Sequence, residues 1–201
     1  MNSVIFGYGV PFMSEAIDRG EPTERMTRAA FRAWSEGRPG RYERIQGVVV
    51  AMAPERVGHK FAKASTWRSL REAILRADLP YQVFTDGMTL EIGDSDYEPD
   101  CVVRCGDQSL PGDVIAVPDP LIVVEVLSPS TSGVDRAWKL GEYFRLTSLR
   151  HYLIVWPDQP RVMHHRRGDA DSDIETHMLT GGPLALDPPG IAIALEDIYS
   201  G

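Results

Sequence analysis

Along the chain, apolar positions fall into runs of two periods. After Thr27, placed as an N-cap, AAFRAWSEG carries Ala30, Phe31 and Trp34 at helical spacing and stops at Gly37. RYERIQGVVVAMAP reads as two antiparallel strands turning at Gln46-Gly47. From Gly58, HKFAKASTWRSLREAILRADLP puts Phe61, Ala64, Leu70, Ala73, Ile74 and Ala77 on one face and its Lys and Arg on the other, an amphipathic helix ended by Pro80. YQVFTD, MTLEI and PDCVVRC are short strand-type runs, followed by a Gly/Pro/Asp-rich loop and then PLIVVEVL. SPSTSGVDRAWKLGEYFRL predicts a second long helix, capped by Ser132. HYLIVW is a buried strand, RVMHHRR and DIETHML form a hairpin, and IAIALEDIYSG closes the chain.

PLIVVEVL to HYLIVW is a strand, helix, strand succession, which calls for a crossover between parallel strands. The expected fold is α/β: a mixed β-sheet core flanked by helices, with additional antiparallel strands. Residues 1–23 show no clean period and are expected to be an N-terminal arm, with 24–201 a single domain.

The 201 residues, 43% hydrophobic and 25% charged, suit one soluble globular domain and argue against disorder or repeat arrays. No apolar run is long enough to span a bilayer and the start lacks a signal-peptide pattern, so the expectation is a cytoplasmic protein with no membrane association. Cys101 and Cys105, four apart on one strand face, are expected to be reduced core thiols. The net charge of −8 argues against broad non-specific nucleic-acid binding, leaving only a local basic strip such as Lys60 to Arg71 with Arg136. His164 and His165 are adjacent in a strand and face opposite sides, so they are not a ligand pair.

The chemistry concentrates around one anomaly. In PLIVVEVLSPST, Leu121, Ile122, Val123, Val124, Val126 and Leu127 fill both strand faces, leaving Glu125 no polar face. A buried carboxylate needs a cation, a metal or good donors, or stays protonated; alternatively, Glu125 emerges at the sheet rim. EPDCVV places Asp100 at the head of another apolar strand; if the two strands are neighbours, both carboxylates converge at one sheet edge, where oxygen ligands suit Mg²⁺ or Mn²⁺. Lys139 follows in the next helix, where an (i, i+4) pair with Asp135 is its plain alternative.

These residues resemble the PD-(D/E)XK nucleases. The fuller string, YERIQGVVVAMAP with His59 shortly after it, EPDCVV, LIVVEVLSPST, DRAWKLGEY and HYLIVW, resembles the Uma-two family of that restriction-endonuclease-like superfamily over about residues 40–160. EVLSPST followed by D-x-x-x-K-x-x-x-Y is the specific part. The superfamily's usual lysine would fall on Leu127; Lys139 matches members whose lysine has moved to the next helix. Gln46 and Trp156 depart from the family pattern, standing where Asp is expected.

The resemblance implies a metal-dependent DNA endonuclease. Asp100 and Glu125 would hold Mg²⁺ or Mn²⁺, with the Val126 carbonyl a further ligand. Lys139 would position or help deprotonate the attacking water, and Glu43 would complete the acidic cluster unless it is a surface residue. His59 would lie near the cleft or serve as a structural hydrogen-bonding group. DNA is the implied partner, and cutting both strands takes two sites, which a homodimer would supply. Two other readings stand beside it: a catalytically idle nuclease-fold module for binding or assembly, favoured by Gln46, Trp156, the acidic charge and the arm, and a hydrolase of smaller phosphate esters.

Overall fold

A computed structural model describes residues 24–200 apart from 107, 129–132 and 169–172. The expected arm over 1–23 and the Ser132 cap lie outside the described residues, as does the side chain of Asp135.

The first helix, α1 (Arg28–Ser35), is capped as its sequence asks: Thr27 Oγ1 accepts from the Ala30 N–H, and Gly37 follows at φ +69°. β1 (Tyr42–Ile45) and β2 (Val48–Ala51) form the expected hairpin. Gln46 and Gly47 both take positive φ (50° and 82°), the primed turn that matches strand twist, and a Cβ on Gly47 would sit 3.2 Å from Arg25 Cβ. α2 (Val57–Arg76) is the long helix, ended two residues before Asp78 in the left-handed region. β3 (Tyr81–Thr85), β4 (Leu90–Ile92), β5 (Ser95–Tyr97), β6 (Cys101–Cys105) and β7 (Pro120–Val126) follow. Then come α3 (Gly133–Tyr143), β8 (His151–Val155), β9 (Val162–Arg167), β10 (Ile174–Leu179), β11 (Pro183–Leu186), β12 (Ile191–Ala194) and α4 (Leu195–Tyr199).

Six strands make the central sheet in the order β10-β9-β8-β7-β6-β3, mixed because β7 and β8 run parallel across α3 while the other pairs are antiparallel. Both faces are covered. Cys101, Val103, Ile122, Val124, Leu153 and Val155 pack with α2, β11, β12 and α4; Val102, Val123, Tyr152 and Ile154 pack with α3 and the small four-stranded sheet β2-β1-β5-β4. Double coverage is why PLIVVEV is apolar at both parities.

Three expectations change. Phe61 is 61% exposed, while Lys63, on the face assigned to solvent, is only 8% exposed. The buried stripe of α2 runs through His59, Ala62, Lys63, Thr66, Leu70, Ala73 and Ile74, because partner carboxylates make room for a lysine that hydropathy alone assigns to water. Cys101 is a buried thiol but Cys105 is exposed, since β6 runs out to the sheet rim there. β5 and β11 are strands where the sequence pattern was too short or too Pro-rich to call one.

Candidate active site

β6 and β7 pair with Cys101 opposite Val124, which sets Asp100 and Glu125 at the same end of neighbouring strands. The Asp100 N–H donates to Val124 O (3.0 Å), and the Val126 N–H donates to Asp100 Oδ2 (2.7 Å), so the Asp100 carboxylate is fixed by the backbone of Glu125's own strand. β1 of the small sheet brings Glu43 to the same end, buried at 6% exposure rather than on the surface. The Glu98 N–H donates to Glu43 Oε1 (3.1 Å).

α3 supplies the cation. Lys139 Nζ lies 2.9 Å from Glu125 Oε1 and 3.1 Å from Glu43 Oε1, bridging the two sheets. One helical turn on, the Tyr143 hydroxyl donates to the same Glu125 oxygen, so Oε2 is the oxygen neither donor uses. The carboxylate in the apolar run is thus answered by a lysine and a phenol four residues apart on one helix face. Lys139 and Glu125 keep 18% and 16% of their side chains exposed, so the pair opens onto solvent.

Electrostatics separate the two groups' roles. Burial pushes the Glu125 carboxyl up; Lys139 opposes this, but the charges of Asp100 and Glu43 add to it and the net shift is upward. Burial alone would pull Lys139 down, yet Glu125 and Glu43 outweigh it and hold its pKa well above the ordinary lysine value. Lys139 is therefore an ammonium at neutral pH, a donor and a charge rather than a base. Burial likewise keeps the Tyr143 hydroxyl protonated.

On the opposite face of the sheet, α2 builds a second layer that sequence reading missed. Lys63 Nζ binds Glu55 Oε1 (2.6 Å) and Asp86 Oδ2 (2.9 Å) and stands 3.8 Å from Asp100 Oδ1. Arg41 joins Glu55, Asp86 and Glu98 at 2.6, 3.0 and 3.1 Å. His59 Nε2 lies 3.0 Å from Val126 O and 3.5 Å from Asp100 Oδ2. Burial would lower the His59 pKa, but the Asp100 bond and charge reverse that and raise it. The Val126 carbonyl expected as a metal ligand is thus engaged by His59. One signal in the sequence did point here: His59 and Lys63 are four apart on one face of α2, and Glu55 stands just before that helix's N-cap, Arg56. Nothing local marks Asp86, Glu98 or Arg41, which arrive from other strands and loops.

Six carboxylates (Glu43, Glu55, Asp86, Glu98, Asp100 and Glu125) thus meet three permanent cations, Arg41, Lys63 and Lys139, with His59 among them. An excess of negative charge with hard oxygen donors, Glu43 and Asp100 buried and the others half-buried, fits a divalent cation. The two positions that depart from the family pattern stand in other surroundings: Gln46 forms the hairpin turn, its N–H on Ser95 Oγ, and Trp156 lies by Arg161.

Comparison with known proteins gives a consistent picture. Residues 28–196 match the Uma2 family model, described as "Putative restriction endonuclease". The chain is 28% identical over 148 residues to the uncharacterized protein sll1609 of Synechocystis sp. (72% of this chain, 82% of that one). It is 27% identical over 192 residues to slr1290 of the same organism (90% and 94%). Among solved structures it is similar to a "putative nuclease belonging to DUF820" from Anabaena variabilis, with a TM-score of 0.67 at 15% identity, covering 87% of this chain and 98% of that one; the two share a fold.

Proposed function

The chain belongs to the Uma2 family of restriction-endonuclease-like proteins, and from that premise we propose that it hydrolyses DNA phosphodiester bonds in a divalent-ion-dependent reaction. The observation that carries the reading is Lys139 held between Glu43 and Glu125, with Asp100 on the adjoining strand end. A purely structural ion pair would not need two carboxylates on one ammonium, with a phenol on one of them and a third carboxylate on the next strand end.

Asp100 and Glu125 would hold the ion, Mg²⁺ or Mn²⁺, which when bound lowers the pKa of water and offsets charge on the phosphate. Lys139, fully protonated, donates to the attacking water or to a non-bridging phosphate oxygen and places it in line. The proton of that water goes to a carboxylate. Tyr143 and Lys139 hold Glu125 Oε1, so that Oε2 is left for the ion. The new P–O bond forms from the water oxygen as the bond to the leaving oxygen breaks, and that oxygen takes a proton from solvent. DNA would approach along the basic residues of α2, Lys60, Arg68 and Arg71, with Arg136 of α3 beside the cleft.

Nicking of supercoiled plasmid in Mg²⁺ or Mn²⁺ tests this. Glu125→Gln and Lys139→Ala, each folded by circular dichroism, are expected to reduce the rate at least about 100-fold. A wild-type chain that binds neither ion and cuts no plasmid would instead make this a nuclease-fold binding module. Rapid hydrolysis of a small phosphodiester with plasmid left intact would point to the smaller-substrate reading.

A further inference from the structure

We propose that Glu55, His59 and Asp100 form a metal site of their own, on the α2 side of Asp100, that takes a divalent transition ion through the Nδ1 of His59. This rests on the nuclease reading only in sharing Asp100; its ligand set differs from the Asp100–Glu125 pair.

The argument begins with the imidazole. His59 is 8% exposed, and its two nitrogens have different surroundings. Nε2 is 3.0 Å from the Val126 carbonyl, an acceptor only, so Nε2 carries a hydrogen and donates it. Nδ1 is buried and has no hydrogen-bond partner. In the neutral ring that atom is a lone pair, and it faces Glu55 Oε2 at 3.9 Å. A lone pair turned on a carboxylate oxygen is repulsive, and 3.9 Å is too long for a hydrogen bond if a proton is placed between them.

A cation resolves the arrangement. With metal–ligand bonds of about 2.1 Å, two donors on one ion lie about 3.0 Å apart at right angles and about 3.4 Å apart at a tetrahedral angle. Glu55, His59 and Asp100 each offer a ligand atom, and all of these lie within 4.8 Å of one another; Glu55 Oε2 faces Nδ1 at 3.9 Å, and Asp100, which stands 3.5 Å from Nε2, would turn to meet an ion on Nδ1. The surrounding bonds are those of a ligand shell. A metal-binding histidine characteristically donates its other ring N–H to a backbone carbonyl, as Nε2 does to Val126 O. Lys63 and Arg41 grip Glu55 through Oε1, leaving Oε2 turned to His59. Asp100 is oriented by the Val126 N–H. A nitrogen ligand favours Mn²⁺, Zn²⁺ or a similar ion over Mg²⁺ or Ca²⁺.

Mn²⁺ binding to the full chain, followed by pulsed EPR, tests the assignment. The expected result is bound Mn²⁺ with nitrogen hyperfine coupling that disappears in His59→Asn and persists in Glu125→Gln. Should His59→Asn fail to fold, Glu55→Gln is expected to keep the coupling while weakening Mn²⁺ affinity at least about tenfold; unchanged affinity would overturn the site. Bound Mn²⁺ without nitrogen coupling, coupling that survives in folded His59→Asn, or no Mn²⁺ binding would each overturn it as well. The two readings fail separately: Mg²⁺-driven nicking that Glu125→Gln abolishes, together with a Mn²⁺ spectrum free of nitrogen coupling, would keep the nuclease and remove this site.

Discussion

Two lysines at this site, Lys63 buried and Lys139 half-buried, do different work. Lys139 faces two carboxylates and keeps 18% of its side chain exposed, whereas Lys63 is shut in by Glu55, Asp86 and Asp100. Burial would lower the Lys63 pKa, but Glu55 and Asp86 reverse that, and Lys63 in turn holds Asp86 below the usual carboxylate range against the push of its own burial. Removing that ammonium leaves carboxylates without their counter-charge. Lys63→Met is therefore expected to cost about 3 kcal/mol of stability, read from urea unfolding at pH 7. A cost below about 0.5 kcal/mol would mean that Lys63 is a solvated surface group. Tyr143→Phe removes one donor from Glu125 while filling nearly the same space. It is expected to destabilise by about 1–3 kcal/mol, since a charged acceptor in the interior loses a bond.

At the scale of elements, α2 has the most to position. It covers one face of the central sheet with Leu70, Ala73 and Ile74 and lends His59 and Lys63 to the site from the same stripe. The face is fixed by what it meets rather than by average hydropathy. Leu70→Ala, at a position with 0% exposure, is expected to cost about 2–5 kcal/mol, while Phe61→Ser, at 61% exposure, should change stability by no more than about 0.5 kcal/mol. Equal costs in thermal or urea unfolding would contradict this orientation of the helix. α3 is organised in the same way: Lys139 and Tyr143 reach Glu125 on the strand that the helix leaves, while Trp138 donates to Tyr97 of the small sheet.

For the molecule as a whole, a pair of histidines ties β8 and β9 to the chain's last segment. His151 Nε2 donates to Pro188 O (2.8 Å), which leaves its Nδ1 to accept from His164 Nε2 (2.8 Å). Both rings are neutral: burial lowers His151 to about 4 and His164 to about 3. These folded values lie below the unfolded 6.5, so as pH falls the unfolded chain takes up protons first. Stability from this pair is complete above pH 6.5 and is lost progressively down to about pH 4 for His151 and about pH 3 for His164. His151 by itself accounts for about 3 kcal/mol at pH 4. Urea midpoints at pH 7, 5.5 and 4 should show the decline, and a folded His151→Asn, His164→Asn variant should lose correspondingly less. An unchanged slope would mean that the rings titrate normally. His165 turns to the other side, onto Thr176 Oγ1 and the Tyr152 ring, as strand alternation requires.

The hairpin at Gln46-Gly47, the capped α1, the parallel pair around α3 and the buried strands β7 and β8 were all legible in the sequence, because turn chemistry, caps and apolar period are local. So was the need of Glu125 for a partner, since no strand buried on both faces accommodates a lone carboxylate. The K-x-x-x-Y spacing set Lys139 and Tyr143 one turn apart, but Tyr143 read simply as a packing residue and its bond to Glu125 is a tertiary feature. The tertiary structure decided the rest. That Lys63 is buried, that Glu43 is not a surface residue and that His59 closes on Val126 and Asp100 all depend on which face of α2 and which strand of the small sheet meet the end of β6 and β7. Asp86, Glu98 and Arg41 carry no local mark, because the compensation of charge is a property of the space where distant segments meet and not of the order in which they are joined.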